Sequence, residues 1–414
     1  MDTSPALAER AASLDAEHAA ADRTDRFVLP DGIVYLDGNS LGALPVGVAE
    51  RVAQVVTAEW GQGLVRSWND AAWWPAAERV GDRIGELVGA AAGQVVVTDS
   101  TTTNLFKVVA AAARMRPGRT RVLVDADSFP TDLYVVTSAA DLVGLTVERV
   151  RPAQAPARIR ELGDDLALTV YSSLDYRTGE LCDLVAITRA AHEVGGLSCW
   201  DLCHSAGVLD LHLDDDDADF AVGCGYKYLN GGPGAPSFIY VRREHLEQFH
   251  NPVAGWNGHA RPFGMEPDYA PSPTISRART GTSPMLSLLA LECALTAYDG
   301  VQVASLRARS LSLTAFFVDC LGSLGVDLPV ATPMDGDRRG SQVSLRHPDA
   351  YAVVAALIAR GVIGDFREPD IIRLGFAPLY VSHADALAAA GHLAAVLDGA
   401  EHERPEHAHR ALVT

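Results

Sequence analysis

Several features that mark other protein classes are missing from this sequence, and each absence excludes a kind of function. The 414 residues include only six cysteines and no C-x-x-C pair, so zinc ribbons and disulfide scaffolds are excluded and reduced thiols in a cytoplasmic protein are expected. The 34 Lys+Arg against 53 Asp+Glu give a net charge of −19, which disfavours nucleic acid and anionic membranes as partners. No apolar run approaches the ~18 to 20 residues that span a bilayer. Residues 1–23 lack the basic and apolar segments of a signal peptide.

The middle of the chain alternates short β-rich runs with helical patterns. Helical stretches such as Asn104–Met115, Thr131–Ala140 and Leu184–Glu193 stand between the runs. This alternation is typical of an α/β protein with an open, largely parallel sheet, in which ligands bind where the strands end. The runs predicted as buried strands are Val95–Thr98, Thr120–Val124, Leu145–Val150, Leu166–Tyr171, Leu197–Asp201, Phe220–Cys224 and Ser237–Val241.

After about Pro284 the pattern changes and predicts a smaller α+β domain. We expect an N-terminal helix and loop at 1–45 that pack with this small domain, a large domain at 46–284, the small domain at 285–400 and a loose tail at 401–414. The elements predicted for the small domain are a long helical region over Met285–Leu324, strands at Gln342–Arg346, near Val362–Phe366 and at Ile371–Phe376, and helices at Ala350–Arg360 and Asp385–Leu397.

Four consecutive aspartates within Leu213–Ala218 allow two interpretations. A row of carboxylates suggests a metal site, whereas a run of like charge is more often a solvated loop. The loop is favoured, and no metal is expected.

The sharpest constellation lies at the ends of two predicted strands. One strand ends on Asp201, within CWDLCHSAGVLDL (199–211), and the next ends near Cys224, just before Lys227 in a glycine-rich loop. Both ends point at one crevice, so a carboxylate and an amine face each other. They form either a structural ion pair, which stabilises little, or a cofactor site. In a cofactor site the lysine forms an imine with an aldehyde and the aspartate keeps a pyridine nitrogen protonated.

These motifs resemble the signature of the kynureninase family. D-L-x-H-S-A-G and the Y-K-Y-L-N of Tyr226–Asn230 match it without a gap, and the resemblance runs from Tyr35 to about Tyr380. It implies a fold-type-I enzyme, with a mostly parallel seven-stranded sheet in the large domain and a smaller α+β C-terminal domain. It also implies pyridoxal 5'-phosphate on Lys227, with Asp201 and Tyr226 as further catalytic residues.

The reaction that the resemblance implies is a hydrolysis of a carbon–carbon bond. The substrate is L-kynurenine, which gives anthranilate and L-alanine in tryptophan catabolism, or 3-hydroxykynurenine, which gives 3-hydroxyanthranilate. Family members that favour the hydroxylated substrate tend to have asparagine where this chain has Thr282, which favours kynurenine here.

One group of residues is assigned to the cofactor phosphate by the resemblance. In VVVTDSTTTNLFK (95–107) a strand runs into a Thr/Ser cluster and a helix, an arrangement that offers N–H groups and hydroxyls to an anion. A plain helix cap at Ser100–Thr103 is the alternative. By resemblance Val97 and Thr98 contact the phosphate, while Tyr226 is either a phosphate ligand or an acid.

A second group is assigned to the cofactor ring. In DSFPTDLY (127–134), Phe129 stacks on the pyridine and Asp132 joins the cofactor network by resemblance. A core aromatic and a helix N-terminal acid are the alternatives. Ser172 matches a cofactor-contacting serine of the family. His204 either belongs to the same cofactor network or is a structural histidine.

Two downstream loops carry further matches. By resemblance the indole of Trp256 reaches the phosphate, and Thr282 extends into the neighbouring subunit's site, which implies a homodimer with shared active sites. In PDIIRLGFAPLY (369–380), Arg373 aligns with the family's substrate-carboxylate arginine, whose planar fork suits a carboxylate. A surface-paired arginine is the alternative.

The substrate-binding assignments are completed by residues nearer the N-terminus. VYLDGNSLGALP (34–45) resembles the loop at the entrance of the family's active site, so Asn39 and Ser40 are expected to close on the small-molecule substrate. Trp68 is either a wall for the substrate's aromatic ring or a core residue.

Two other functions fit parts of the pattern. An aminotransferase or cysteine desulfurase usually has a histidine shortly before the lysine, whereas this chain has Tyr226 before Lys227, and no cysteine lies in a suitable loop. A catalytically idle cofactor-binding or regulatory protein is the other alternative, although no DNA-binding module is attached to support it.

Overall fold

The computed structural model describes residues 5–407 and 409–410. Its strands in chain order are β1 (Phe27–Val28), β2 (Val34–Tyr35), β3 (Leu44–Pro45), β4 (Val95–Val97), β5 (Arg121–Val124), β6 (Thr146–Arg149), β7 (Leu166–Ser172), β8 (Leu197–Asp201), β9 (Phe220–Cys224), β10 (Ser237–Val241), β11 (Gln342–Arg346), β12 (Val362–Ile363), β13 (Asp365–Arg367) and β14 (Ile371–Gly375). Its α-helices are α1 (Pro5–Glu17), α2 (Val48–Gln54), α3 (Ser67–Asp70), α4 (Ala76–Val88), α5 (Thr101–Met115), α6 (Pro130–Val143), α7 (Ala155–Leu162), α8 (Leu184–Glu193), α9 (Met285–Ala294), α10 (Val303–Ser323), α11 (Ala350–Ala359) and α12 (His383–Asp398).

The chain divides into two compact units. The small unit comprises the described residues of Met1–Val46, Tyr176–Leu181 and Thr296–Thr414, and the large unit comprises Gly47–Asp175 and Cys182–Leu295. The division falls eleven residues later than the boundary expected after residue 284, because α9 groups with the large unit. The segment 401–414, expected as a loose tail, contains short helical turns at Glu401–Glu403 and Pro405–His407. Residues 408 and 411–414 lie outside the described part.

The large unit is built on one seven-stranded sheet. Its strand order is β4-β10-β9-β8-β7-β5-β6, and all neighbours are parallel except β10, which runs antiparallel to both β4 and β9. The seven strands are those that the sequence predicted, so the mostly parallel sheet is confirmed. Every residue of β7, β8, β9 and β10 is buried. Strands covered on both faces need such continuous apolar runs.

The strand register brings polar residues to one edge of this sheet. Ser172 pairs with Asp201 between β7 and β8, and Asp201 pairs with Val222 between β8 and β9. Because the three strands are parallel, their carboxyl ends lie at the same edge, together with the residues that follow them. Lys227, three residues after β9, is therefore near the end of a strand that is next to Asp201.

The small unit has an antiparallel sheet of order β11-β14-β13, and β12 pairs in parallel with β2. The N-terminal helix α1 joins α12 through Asp15, whose Oδ1 lies 2.8 Å from Nδ1 of His383. The long helical region predicted over Met285–Leu324 is present. It is two helices separated at Asp299–Gln302, where Gly300 has a left-handed φ of 72° that an α-helix cannot accommodate.

The aspartate run is a structural loop. The carboxylate of Asp214 accepts hydrogen bonds from Ala91 N, Gln94 Nε2 and Tyr240 Oη, each at 2.8 Å, and Asp217 pairs with Arg242 at 2.7 Å. Within residues 5–407 and 409–410, no group of three or more His, Cys, Asp or Glu side chains is arranged to hold a metal ion.

Among the described helices, none alone is long and apolar enough to cross a membrane. The bent pair Met285–Tyr298 and Val303–Ser323 meets the length and composition criteria only when both members are taken together.

Candidate active site

Lys227 lies in the tight loop after β9. The loop closes on itself, since Asn230 N donates to the carbonyl of Lys227 at 2.8 Å. The Nζ atom of Lys227 is 3.0 Å from Nε2 of His204 and 6.0 Å from the ring centre of Phe129. Lys227 is partly buried, and Phe129 is 40% exposed although it lies beside this amine. The amine and the aromatic ring therefore lie side by side at a partly accessible position.

Two buried carboxyl groups lie close to the lysine. Asp132, in the first turn of α6, and Asp201, at the end of β8, hydrogen-bond one another, and Ser128 Oγ donates to Asp132 Oδ2 at 2.9 Å. Burial first, and then the neighbouring charge of Asp201, raises the pKa of Asp132 well above its usual range. The contact between the two carboxyls therefore favours a proton shared within the pair. Asp201 is additionally held by Cys203 N, which donates to its Oδ1 at 2.9 Å.

A pair of thiols next to Tyr226 was not found by sequence reasoning. Cys203 comes two residues after the end of β8, and Cys224 is the last residue of the adjacent strand β9. The two thiols hydrogen-bond each other, and Cys224 also hydrogen-bonds Tyr226. Burial, and then these two cysteines, raises the pKa of the Tyr226 phenol. Tyr226 is therefore a neutral hydrogen-bond donor. The only sequence signal was the placement of both cysteines beside Asp201 and Lys227.

The predicted phosphate site lies where β4 meets α5. Val97 is a buried residue of β4, and Thr98 follows it and donates through Oγ1 to Asp99 Oδ2 at 2.8 Å. Ser100 caps α5 by accepting from Thr103 N at 3.3 Å. The start of this helix therefore has several hydroxyls and backbone N–H groups, which together favour an anion.

Asp99 is a further residue that sequence reasoning missed. It has a left-handed φ of 50° and forms an ion pair with Lys107, which is fully buried in α5. Its other oxygen accepts from Thr280 Oγ1 at 2.9 Å. The strand-to-helix turn is thereby fixed to the loop that contains Thr282. Asp99 and Lys107 both stand in the motif at 95–107, but eight residues apart, a separation that does not predict a contact on a helix.

The loops of Trp256 and Thr282 lie against each other. Asn257 Nδ2 donates to the carbonyl of Gly281 at 2.6 Å, and a Cβ added to Gly255 would lie 2.2 Å from the carbonyl oxygen of Thr280. Only glycine therefore permits this approach. Trp256 is 40% exposed and Thr282 is exposed, so both side chains are accessible to solvent.

Trp68 belongs to an aromatic cluster that includes Trp256. The ring centre of Trp74 lies 6.2 Å from that of Trp68 and 5.4 Å from that of Trp256. The structure thus connects a residue expected at the substrate with one expected at the phosphate. Ser172, in contrast, uses its hydroxyl within its own loop by donating to the carbonyl of Leu174 at 2.8 Å.

Arg373 lies in the small unit on β14 and is fully buried. Its Nε donates to Asp365 Oδ1 at 2.7 Å, its Nη1 to the carbonyl of Tyr176 at 2.9 Å and its Nη2 to Ser40 Oγ at 2.8 Å. A further bond from Nη2 reaches Asp365 Oδ2. Two of the predicted substrate-binding residues, Arg373 and Ser40, are therefore in direct contact.

Asn39 and Asp37 complete this buried polar group. With its amide oriented so that both atoms find partners, Asn39 donates to Asp37 Oδ1 and accepts from Arg373 Nε, each at 3.3 Å. A Cβ added to Gly375 would lie 2.5 Å from Asn39 Cγ, so the strand must have glycine there. Burial, and then the charge of Asp365, raises the pKa of Asp37 to about 7.

The donor set at the edge of the large sheet fits pyridoxal phosphate. Its aldehyde needs an accessible amine, its ring nitrogen a carboxylate, its ring faces an apolar neighbour and its phosphate an anion site. Lys227, Asp201 and Phe129 match the first three needs, and the start of α5 matches the fourth.

Known proteins agree with this interpretation. A model of the kynureninase C-terminal domain matches residues 306–393. The chain is 44% identical to the kynureninase of Pseudomonas fluorescens over 93% of this chain and 94% of the relative. It is 48% identical to that of Deinococcus radiodurans over 94% of this chain and 96% of the relative.

Solved structures show the same fold in more distant enzymes. A cysteine desulfurase from Thermococcus onnurineus NA1 has a TM-score of 0.75 at 16% identity, covering 91% of this chain and 98% of its own. A cystine C-S lyase in complex with its product cysteine persulfide has a TM-score of 0.76 at 18% identity, covering 88% and 98%. These likenesses concern the fold, whereas the relatives above share the sequence over nearly its full length. The chain therefore belongs to the kynureninase family.

Proposed function

We propose that this enzyme uses pyridoxal phosphate to hydrolyse L-kynurenine to anthranilate and L-alanine. The observation that carries the proposal is the accessible amine of Lys227 beside a buried carboxyl pair, in a chain 44% identical to a known kynureninase. When bound, pyridoxal phosphate supplies an electron sink for the carbon atoms next to the substrate's amino group.

Lys227 is the proposed base. Its amine removes the α-proton of the substrate and returns a proton later, and the 3.0 Å contact with His204 Nε2 offers a group with which it can exchange one. The sequence contains two lysines, and the other, Lys107, is fully buried in an ion pair with Asp99. This leaves Lys227 as the amine for the cofactor aldehyde.

Asp201 is proposed to hold the proton of the pyridine nitrogen. Asp132 supports it, because a proton shared between the two carboxyls fixes Asp201 in one orientation. Phe129 packs on the cofactor ring, and Thr98 with the start of α5 receives the phosphate together with Trp256.

The neutral phenol of Tyr226 is proposed as the acid that supplies a proton to the departing alanine fragment after water has added to the γ-carbonyl carbon. Its raised pKa keeps the phenolic proton in place at neutral pH. Arg373, assisted by Ser40 and Asn39, is proposed to bind the substrate carboxylate, and Trp68 to contact the substrate ring.

The proposed assembly is a homodimer in which Thr282 reaches the neighbouring subunit's site. The exposure of Thr282 and Trp256 supports it. Analytical ultracentrifugation of the purified enzyme tests this assembly, since a monomer at micromolar concentration would contradict it. The six cysteines are free thiols, which supports a cytoplasmic location.

The activity itself is tested by adding each substrate to the purified holoenzyme. We expect fluorescent anthranilate from L-kynurenine, with a higher kcat/KM than that for 3-hydroxykynurenine. A site rejects a hydroxylated analogue weakly unless it is built to hydrogen-bond that group, so we expect a preference of about tenfold to a hundredfold. If neither substrate is cleaved, the proposed function is wrong.

A further inference from the structure

A partly buried carboxylate at Glu59 has no part in the function proposed above. It lies in a π-helix, Val55–Gly63, that continues α2 in the large unit. Its Oε2 accepts from Trp73 Nε1 at 2.7 Å, and its Oε1 forms an ion pair with Arg51. Its own backbone carbonyl accepts from Ser67 Oγ at 2.6 Å. Glu59 is thus fixed from three directions.

The indole that Glu59 holds is the first ring of the aromatic cluster. Trp73 is buried and meets Trp68 edge to face, with ring centres 5.7 Å apart and planes at 87°. Trp68 contacts Trp74, and Trp74 contacts Trp256. A change in the orientation of Trp73 therefore reaches both the ring expected at the substrate and the ring expected at the phosphate.

Packing alone does not determine which edge of an indole faces its neighbour. A hydrogen bond from the indole N–H to a single acceptor determines that orientation. Edge-to-face pairs depend on that orientation, because ring edges are electropositive and ring faces electronegative. A π-helix is costly and often occurs near functional sites, and here it delivers the acceptor. A carboxylate has an oxygen for each donor, one for Arg51 and one for Trp73.

We propose that Glu59 is a positioning residue for substrate recognition. By fixing the indole of Trp73 it holds Trp68 and Trp74 as the wall that receives the aromatic ring of the substrate. This inference rests on the proposed function, since it requires that the substrate carries such a ring.

The two products of the proposed reaction separate this role from a merely structural one. Anthranilate has the aromatic ring without the amino-acid group, and L-alanine has the amino-acid group without the ring. In the holoenzyme, Glu59→Gln has one acceptor oxygen for two donors, so the Trp73 contact weakens. We expect the inhibition constant of anthranilate to rise about tenfold, as for the loss of a hydrogen bond to a charged group. That of L-alanine should stay within about twofold.

A second variant approaches the same contact from the other side. Trp73→Phe keeps a ring and removes the N–H donor, and we expect the same selective loss of anthranilate binding. The double variant should be little worse than either single one, because both remove one interaction. Glu86→Gln is the matched control, since Glu86 is an exposed residue of α4 paired only weakly with Arg83 at 3.7 Å. It should leave both inhibition constants unchanged.

The results separate the two proposals. Kynurenine cleavage by the unaltered holoenzyme tests the proposed function, and its absence overturns that function and this inference together. With cleavage present, a selective rise for anthranilate in both variants supports the role of Glu59. An equal rise for both products, or no rise in Trp73→Phe at unchanged thermal stability and cofactor content, overturns it.

Discussion

The two lysines of the chain lie in opposite environments within the large unit. Lys107 is fully buried in α5, and its Nζ donates to Asp99, to Asn104 Oδ1 at 3.1 Å and to the carbonyl of Ala278 at 2.8 Å. Lys227 is partly buried in a loop, beside an imidazole nitrogen at 3.0 Å and an exposed aromatic ring.

The difference shows what separates a structural lysine from a reactive one. An ammonium group has three N–H donors, and Lys107 has an acceptor for each, one of them a carboxylate. Burial lowers the pKa of Lys107, and the charge and hydrogen bond of Asp99 oppose that lowering. Lys227 instead faces a histidine, which is able to take or give a proton. The structural ion pair considered for Lys227 is thus seen at the other lysine.

The largest expected effect comes from replacing the reactive lysine. Lys227→Ala should reduce kynurenine turnover by roughly 10³-fold or more, since it removes both the base and the cofactor amine. The yellow absorbance of the bound cofactor should disappear, and circular dichroism should show an intact fold. Absorbance and anthranilate fluorescence measure both effects. Wild-type colour and activity in this variant would refute the assignment of Lys227.

Replacing the structural lysine should have the opposite outcome. Lys107→Met leaves the partly buried Asp99 without its cation, so we expect the free energy of unfolding to fall by about 1 to 3 kcal/mol, with the cofactor colour retained. Urea denaturation measures the loss. Adding Asp99→Asn should recover part of it, because the uncompensated charge is gone. A loss below about 1 kcal/mol would contradict the difference drawn between the two lysines.

The position of the proposed reactive lysine, Lys227, could be predicted from the sequence because strand ends are predictable. Seven apolar runs predicted the seven strands, and a parallel sheet necessarily brings the ends of neighbouring strands together, here at Asp201 and Lys227. The family resemblance then supplied roles for more distant residues, such as Arg373.

The contacts that sequence reasoning missed depend on local geometry without a pattern of its own. The Asp99–Lys107 pair requires a left-handed turn at Asp99, and the Glu59–Trp73 bond requires a π-helix. Neither departure from regular structure leaves a periodic signal. The break within the helical region Met285–Leu324 is of the same kind, because one glycine turn interrupts an otherwise helical pattern.

Arg373 extends the comparison to a buried cation that already has most of its hydrogen-bond partners and yet is proposed to bind the substrate. Four of its five N–H groups already have acceptors, so the substrate carboxylate has to share or replace a partner. We expect Arg373→Ala to lower kcat/KM by about tenfold to a hundredfold, mainly through KM. Arg373→Lys should recover little, because a point charge lacks the planar fork. Steady-state kinetics with unchanged KM and kcat/KM would contradict the assignment.

The smallest expected effect concerns the charge of the Arg373 cluster. Arg373 and Arg367 oppose Asp365 and Asp37, and the pKa of Asp37 is about 7. Below pH 7 Asp37 is neutral and the cluster has two positive charges against one negative charge. Above pH 7 the charges balance, so binding of an anionic substrate should weaken by roughly fivefold, an effect of ordinary size for a partly screened charge.

Asp37→Asn tests this through a ratio. The kcat/KM of the wild type divided by that of Asp37→Asn should fall as pH rises through 7, and the ratio cancels the substrate's own titration. The free energy of unfolding of the wild type should also fall as pH rises. A carboxyl whose pKa is raised from 3.8 to about 7 stabilises the fold fully below pH 3.8 and loses that contribution as pH rises through 7. The variant should therefore show a flatter stability profile between these values. A ratio that is constant from pH 6 to 8 would show that Asp37 holds one charge throughout, which would make the cluster, like Lys107, a structural pair rather than an adjustable one.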